Sequence, residues 1–485
     1  MIAFKRWLSD ESFFWQRIFT FALLLRLIPV ILARGLGIGL DDMFQYDMLA
    51  RSIVSGLGFR WYAQPDLDLI RQYIAIDAST AAYDPRGVVT AFRAPLYPAF
   101  LALVYFFSGV GFERFLAARV VQAVLSAGMA PLTYFAARKC FPDNPRAARL
   151  AAWAVALYPM LVIYPLSLAT ENLFFVLVLA AALMLLHTAQ KPTLLNFVLS
   201  GMLLGLAALT RSVILVAGGL SVLWVWFALR QRRGAVVMAL ALALTIAPWM
   251  ARNYFLFGRA TIELSMGYNL YVGYHPESTG TFKYGPSLDL LTILDDGERE
   301  RVGIQRAVEF IRADPARVPV LAVQRLGHFF GLERRALTYF YSNNFFGYIP
   351  FPLLLTAALV LLLPFVVIST SAALGLALLD WRKETLLVAI FIFGYLAPHV
   401  PLLAEDRFHL TLVPFLAILA AQAWTGGPAA LMQRWQQSRW GKVALLLAVL
   451  VVLLLFTNWG LELHRDADKI RLLFGPEGNK TYFPY

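Results

Sequence analysis

Leu40-Asp41-Asp42-Met43-Phe44-Gln45-Tyr46 follows directly on a long apolar run, and its reading decides how the rest of the chain is arranged. Two adjacent aspartates beside hydrocarbon are costly unless they face water or a polar site. They therefore mark a point where the chain leaves a membrane. The apolar run before them, 18–36, carries Arg26 and has no small-residue cleavage site after its core, so it reads as an uncleaved anchor.

Composition places the whole chain in the same class. Of 485 residues, 60% are hydrophobic and only 15% charged, with a mean hydropathy of +0.65. Soluble domains do not reach those values. The single cysteine, Cys140, excludes an internal disulfide. The net charge of +12 does not point to nucleic acid, because no basic face alternates with stacking aromatics. Instead the bases cluster in short connectors, as the positive-inside rule expects of cytoplasmic ends. These clusters are Lys5, Arg6 and Arg17; Arg138, Lys139, Arg146 and Arg149; Arg230, Arg232 and Arg233; Arg382 and Lys383; and Arg434, Arg439 and Lys442.

Placing every cluster on one side gives an all-α polytopic membrane protein with about eleven spans. They fall at 18–36, 116–138, 149–167, 171–188, 194–209, 213–229, 235–252, 348–379, 385–403, 408–425 and 442–459. The N-terminus is then cytoplasmic and the C-terminus outside. The expected organisation is an N-terminal transmembrane module, 1–252, that includes a first outer loop at 37–115. A second outer loop, 253–347, follows, then C-terminal transmembrane helices, 348–459, and a short outer tail, 460–485. The apolar stretch Ala99–Gly109 is too short for a crossing and reads as a helix on the outer surface, led by Arg93-Ala94-Pro95-Leu96-Tyr97-Pro98. In the second loop, 299–313 reads as an amphipathic helix ended by Asp314-Pro315. No internal duplication is evident.

On this topology the notable polar residues share one side: Glu171 and Asn172, Thr210 to Ser212, Arg252 and Asn253, and His399 with Glu405, Asp406, Arg407 and His409. Outer turns mix acids with bases, whereas inner turns are dominated by bases. That asymmetry implies an outward-facing polar cavity. Transfer of a sugar from a phosphate to a hydroxyl needs a carboxylate to take the acceptor proton, a part open to Asp42 or Asp41. It also needs cations to hold the leaving phosphate, which the planar, permanently charged arginine fork suits. Arg211, Arg252 and Arg407 are the candidates. Plainer readings stand beside these. The two aspartates can be helix-start residues, Glu171 a helix cap, and Arg211 and Arg407 headgroup anchors. Glu405 and His409 have possible metal spacing but no specific ligand pattern, so no metal or other cofactor is assigned.

Six stretches then resemble the GT-C glycosyltransferases of the protein O-mannosyltransferase and aminoarabinose transferase kind. Asp41-Asp42 with Tyr46 and Leu49-Ala50-Arg51, followed by Gly56-Leu57-Gly58-Phe59, resembles the acidic first-loop motif, and 93–98 the loop's surface helix. Thr170-Glu171-Asn172-Leu173-Phe174 and 205–211 resemble two outer turns. Pro248-Trp249-Met250-Ala251-Arg252-Asn253-Tyr254 resembles the entry to the second loop, and Glu405-Asp406-Arg407-Phe408 a late outer turn. The resemblance implies a GT-C fold with juxtamembrane helices in its periplasmic loops, an inverting transfer, and a polyprenyl-phosphate sugar as donor. It puts the catalytic base on Asp42 first and Asp41 second. Arg211, Arg407 and Arg252 are expected on the donor phosphate, and Glu171, Tyr46, Arg93, Asn253 and His399 on sugar or acceptor. The expected partners are the lipid-linked donor, membrane lipids, and an acceptor on lipid A, polysaccharide, another lipid or protein, in a bacterial inner membrane. The rival readings are a lipid-linked sugar transporter, which should carry ionisable groups near mid-membrane and duplicated halves, and a non-catalytic scaffold.

Overall fold

The computed structural model describes residues 11–73, 83–342, 344 and 347–480. Lys5, Arg6 and the end of the expected tail lie outside the described residues. Each of the eleven expected spans is occupied by helix. These are Phe14–Leu32, Arg114–Cys140, the pair Pro145–Leu157 and Pro159–Ile163, Glu171–Gln190, Leu194–Ala208, Leu215–Phe227, Arg232–Phe257, Phe351–Ala377, Lys383–Leu396, Val413–Gln437 and Arg439–Arg465. Among the described residues seven helices are long and apolar enough to cross a membrane, and the bent pair makes an eighth. The chain is a multi-pass membrane protein. The helices at 194–208, 215–227 and 383–396 are shorter than the ~20 residues of a full crossing. The largest boundary difference is at Val413–Gln437, which runs on past 425 through Gly427, whose φ of 59° breaks the helical path.

The expected span 149–167 is bent by 53° between Leu157 and Pro159. Pro159 has no N–H to give to the carbonyl of Val155, so the ladder opens there. Lipid would leave that carbonyl unpaired. Arg26, fully buried in the first span, supplies the missing donors to Val155 O at 3.2 Å and Ala156 O at 3.0 Å, and also bonds Ser126 Oγ at 2.8 Å. A second buried arginine, Arg119, holds Leu36 O at 2.5 Å, Gly37 O at 2.7 Å and Leu166 O at 2.9 Å. That grip fixes the chain's exit from the first span, a few residues before Asp41 and Asp42. Both arginines serve backbone carbonyls rather than carboxylates, so their depth gives no support to a charge pathway through the bundle.

Helices at 194–208 and 232–257 make the most intimate pair. Gly201 and Gly205 lie four apart on one face. A Cβ on Gly201 would strike the carbonyl of Met238, and one on Gly205 the side chain of Thr245. In lipid, where apolar side chains gain little by leaving solvent, such close backbone approach is what holds helices together. The basic connectors gather at one end of the bundle. There Arg382 bonds Cys140 O at 3.1 Å, Lys383 bonds Ala189 O at 3.1 Å, and Arg434 bonds Ala377 O and Leu379 O at 3.1 Å.

The two long loops build the other end. In the first, helix Asp42–Val54 packs on helix Leu96–Ser108 through Met43, Tyr46 and Ala50 against Tyr97, Leu101 and Tyr105. The second of these helices keeps Leu103, Phe106 and Phe107 exposed, as a surface helix should. A two-stranded antiparallel pair, Arg60–Trp61 with Val88–Val89, lies between them. Asp47 ties the loop together, accepting from Arg51 at 2.8 Å, Arg114 at 2.7 Å and Tyr105 at 3.0 Å. In the second loop the expected amphipathic helix starts earlier, at Asp296. It is capped by Asp295, which accepts from Glu298 N at 2.7 Å. Past Asp314-Pro315 the chain enters a further helix, Arg317–Phe329. The loops are joined by Asp296, which accepts from Thr90 Oγ1 at 2.7 Å and Ala91 N at 2.5 Å while paired with Arg299 at 2.5 Å.

Candidate active site

Helix Asp42–Val54 begins at the site, and its two leading acids are used differently. Asp41 is the N-cap and accepts from Met43 N at 2.9 Å, satisfying one of the free N–H groups of the first turn. Burial and the neighbouring Asp42 charge push its carboxyl up. Asp42 instead points into a ring of cations. It is ion-paired with Arg93 and lies 3.2 Å from Nη2 of Arg407, with about a third of its side chain exposed. Burial acts to raise its pKa, but the guanidiniums of Arg93 and Arg407 outweigh burial and hold the carboxyl well below the usual range.

Each partner of Asp42 is held in turn. Arg93 leads into helix Leu96–Ser108. It bonds Gln45 Oε1 at 2.9 and 2.7 Å and lies 5.2 Å over the ring of Tyr46. Tyr46 is buried against Tyr97, and burial pushes its phenol up to about 12, so it stays protonated. Arg407 sits in the turn Asp406–Leu412. Its Nε donates to Glu405 at 2.6 Å and lies 3.8 Å from Glu171. Glu171 opens helix Glu171–Gln190 but does not cap it. It is 3% exposed and pairs with Arg211 at 2.6 Å, so its carboxylate serves an ion pair rather than the helix start. Arg211 in turn lies 4.9 Å over the ring of Phe408. So Asp42, Arg407, Glu171 and Arg211 form one chain of ion pairs drawn from four separate turns. These turns, assigned to one membrane side from the sequence, do meet in space.

Three expected residues, Arg252, Asn253 and His399, make no contact with Asp42. Arg252 donates to Thr90 O and Asn253 Oδ1, both at 2.8 Å, beneath the indole of Trp249. Asn253 is fully buried and donates to Thr261 O at 2.8 Å and Ile262 O at 3.2 Å. Both therefore shape the entry to the second loop, and the expected phosphate role of Arg252 and ligand role of Asn253 are not supported by their contacts. His399 gives Nδ1 to Tyr395 O at 2.9 Å and packs its ring on Phe408 at 4.9 Å, behind Arg211 rather than beside Asp42. Its Nε2 is buried and meets no hydrogen-bond partner among the described residues.

The sequence reading missed Gln45, which orients Arg93, and Arg335, which lies 3.4 Å from Glu405 and 3.2 Å from Asp406. It also missed Tyr268, which packs edge-on against Phe92 beside Arg93. The cluster thus sets Asp42, Glu171, Glu405 and Asp406 against Arg93, Arg211, Arg335 and Arg407. Among the described residues no group of three His, Cys, Asp or Glu could hold a metal ion. Of the pair with possible metal spacing, Glu405 is taken by arginines and His409 Nε2 lies 2.8 Å from Glu333.

With this geometry the comparisons with known proteins can be read. In outline the structure follows the Archaeoglobus fulgidus oligosaccharyltransferase in its apo form, with a TM-score of 0.50 at 15% identity, over 99% of this chain and 61% of that one. The fold is GT-C. The archaeal oligosaccharyltransferase AglB from Archaeoglobus fulgidus, in complex with an inhibitory peptide and a dolichol-phosphate, matches with a TM-score of 0.47 at 15% identity over 98% and 60% of the two chains. ArnT from Cupriavidus metallidurans bound to undecaprenyl phosphate matches with a TM-score of 0.38 at 14% identity over 87% and 81%. The chain therefore spans about three fifths of the length of the archaeal chains it matches. Residues 93–251 match the family model of dolichyl-phosphate-mannose-protein mannosyltransferases, a segment that begins at Arg93 and includes Glu171 and Arg211. No curated protein matches this chain in sequence.

Proposed function

We propose that this protein transfers a sugar from a polyprenyl-phosphate-linked donor to an acceptor hydroxyl, at the outer face of a bacterial inner membrane. The observation that carries the reading is Asp42, partly exposed between Arg93 and Arg407 and linked through Glu171 to Arg211. A carboxylate, three arginines and a protonated tyrosine at the loop-bearing end of a GT-C fold match what the reaction needs.

In the proposed step the acceptor oxygen attacks the anomeric carbon from the face opposite the phosphate. The bond from that carbon to the phosphate oxygen breaks, and its electron pair stays on the polyprenyl phosphate. The acceptor proton passes to Asp42, and the anomeric centre is inverted. A carboxylate held so low is fully ionised at neutral pH but a weak base. It takes the proton as attack makes the hydroxyl acidic. An incoming phosphate that shares Arg93 or Arg407 also lifts its basicity, because part of the cationic field is drawn away. Arg407 and Arg211 would stabilise charge on the leaving phosphate. Arg252 is left out of this role because its guanidinium serves a backbone carbonyl.

The proposed arrangement has the N-terminal module, residues 1–252, presenting base and phosphate-binding turns, with 253–347 closing over them and 348–459 supplying Arg407. The acceptor class stays open between lipid A, polysaccharide, another lipid and protein. The test is release of polyprenyl phosphate by purified protein from a panel of polyprenyl-phosphate sugars, with envelope extract as acceptor. Acceptor-dependent release from one donor supports the reading. Movement of the intact donor across vesicles without release would favour a transporter.

A further inference from the structure

Four consecutive residues, Leu332-Glu333-Arg334-Arg335, lie between helix Arg317–Phe329 and the turn Leu337–Tyr341, and each is fastened. Leu332 N donates to Glu462 Oε2 at 3.0 Å. Arg334 pairs with Glu462 at 2.7 Å and Asp466 at 2.6 Å, so the segment is anchored to the end of helix Arg439–Arg465. The two remaining side chains turn the other way, onto the turn that carries Arg407. Glu333, 2% exposed, accepts from Tyr158 Oη at 2.6 Å and meets His409 Nε2 at 2.8 Å. The ring of His409 is pinned further by stacking on Phe365 at 3.8 Å and by Nδ1 donating to Phe329 O at 2.7 Å. Arg335 reaches Glu405 and Asp406 on the other side. Residues 405, 406 and 409 are therefore held by positions 333 and 335, and Arg407 projects from between them.

The charges explain why this matters. Arg407 Nε already donates to Glu405 at 2.6 Å, and its backbone N–H donates to Asp406 Oδ1 at 2.9 Å. Two adjacent carboxylates without a second cation would draw the guanidinium of Arg407 back onto themselves, because a bidentate arginine–carboxylate fork is the stronger arrangement. Arg335 shares both carboxylates and so leaves the Nη2 edge of Arg407 directed at Asp42.

We propose that Arg335 is a positioning residue that sets the guanidinium of Arg407 for an anionic phosphate, with Glu333 anchoring the far end of the same turn through His409. The inference rests on the phosphate-binding reading of Arg407 given above. The experiment measures binding of undecaprenyl phosphate to the full-length protein in detergent, for wild type, Arg407→Gln, Arg335→Gln, Arg335→Lys, Glu333→Asp and the double variant Arg335→Gln/Arg407→Gln. Thermal unfolding of each variant confirms that it is folded. Arg335→Gln is expected to weaken binding about three- to tenfold, to raise the KM for donor more than it lowers kcat, and to add less than about twofold on top of Arg407→Gln, because residues acting through one another are not additive. Arg335→Lys keeps the charge and should recover part of the loss, and Glu333→Asp, too short to span Tyr158 and His409, should also weaken binding. Should Arg335→Gln fail to fold, the lysine and aspartate variants carry the same comparison. Equal factors for Arg335→Gln in both backgrounds, or no effect in either, would overturn the positioning role while leaving Arg407 on the phosphate. If Arg407→Gln itself binds like wild type, the phosphate reading fails and the positioning role falls with it.

Discussion

Arg407→Gln is the substitution whose consequence follows most directly from the structure. An arginine carries five N–H donors. In Arg407 one is spent on Glu405 at 2.6 Å and one on Asp42 at 3.2 Å, and among the described residues the other three meet no acceptor. A phosphate can therefore take a two-bond fork without breaking the bond to Glu405. Charge-assisted bonds of this kind contribute about 1.5–3 kcal/mol each, and a pair sharing one cation contributes less than their sum, so we take about 2–4 kcal/mol. With about 1.4 kcal/mol per tenfold, the variant should bind undecaprenyl phosphate ~30- to 1000-fold more weakly. Glu405 and Glu171, each then left with one arginine in place of two, push toward the upper end. Arg407→Lys retains the charge but not the fork and should fall between the two. Titration of the detergent-solubilised protein with undecaprenyl phosphate reads the constant. A Kd for a folded Arg407→Gln protein within about twofold of wild type would refute the argument.

Three further outcomes are expected. Asp41→Asn should retain near-wild-type turnover and stability because asparagine caps as well as aspartate, whereas Asp41→Ala should lose about 1 kcal/mol in thermal unfolding. A strong turnover loss in Asp41→Asn would move the base to Asp41. Arg26→Met should lower stability by about 1–3 kcal/mol, the cost of two unpaired carbonyls less the relief of no longer burying a cation, with donor affinity unchanged. An unaltered melting temperature would contradict the role given to Arg26 at the 53° bend. The pH profile follows from the sign of the Asp42 shift. Its folded pKa lies below the ordinary 3.8, so it is ionised and competent at higher pH. The stability it contributes is present above 3.8 and lost only as pH falls through the lower folded value. No acid limb from Asp42 should appear in kcat/KM between about pH 5 and 7. Such a limb, absent in a variant lacking the acid responsible, would assign the base elsewhere.

Much of the fold was legible because membrane helices must satisfy their own backbone and be apolar over a fixed length. Helix occurs at each expected span for that reason. Charge alone assigned the turns to one side, and in the structure Glu171, Arg211 and Arg407 lie in one cluster with Asp42. What could not be read was which carbonyl or carboxylate each arginine serves. Arg252 and Arg407 look alike in sequence, each near an acid or amide and an aromatic. Only the packing sends the first to Thr90 O and the second to Asp42. Arg335 was missed for a related reason: nothing local distinguishes it from Arg334, yet Arg334 faces helix Arg439–Arg465 and Arg335 the site. The two aspartates were left open by spacing and are separated by the helix they begin, since one caps it and the other projects from its first turn. Helix Arg317–Phe329 was hidden because Pro315 reads as a stop although it also suits the start of a new helix.

The most direct test of the central claim compares wild type with Asp42→Asn for two quantities in the same preparation: affinity for undecaprenyl phosphate and acceptor-dependent release of it from the active sugar donor. Replacing the carboxylate by a neutral amide of the same shape leaves Arg93 and Arg407 free for phosphate. Affinity should therefore be retained or improved while release falls by ~100-fold or more, the scale of a lost general base. Release at the wild-type rate by a folded Asp42→Asn protein would contradict the account.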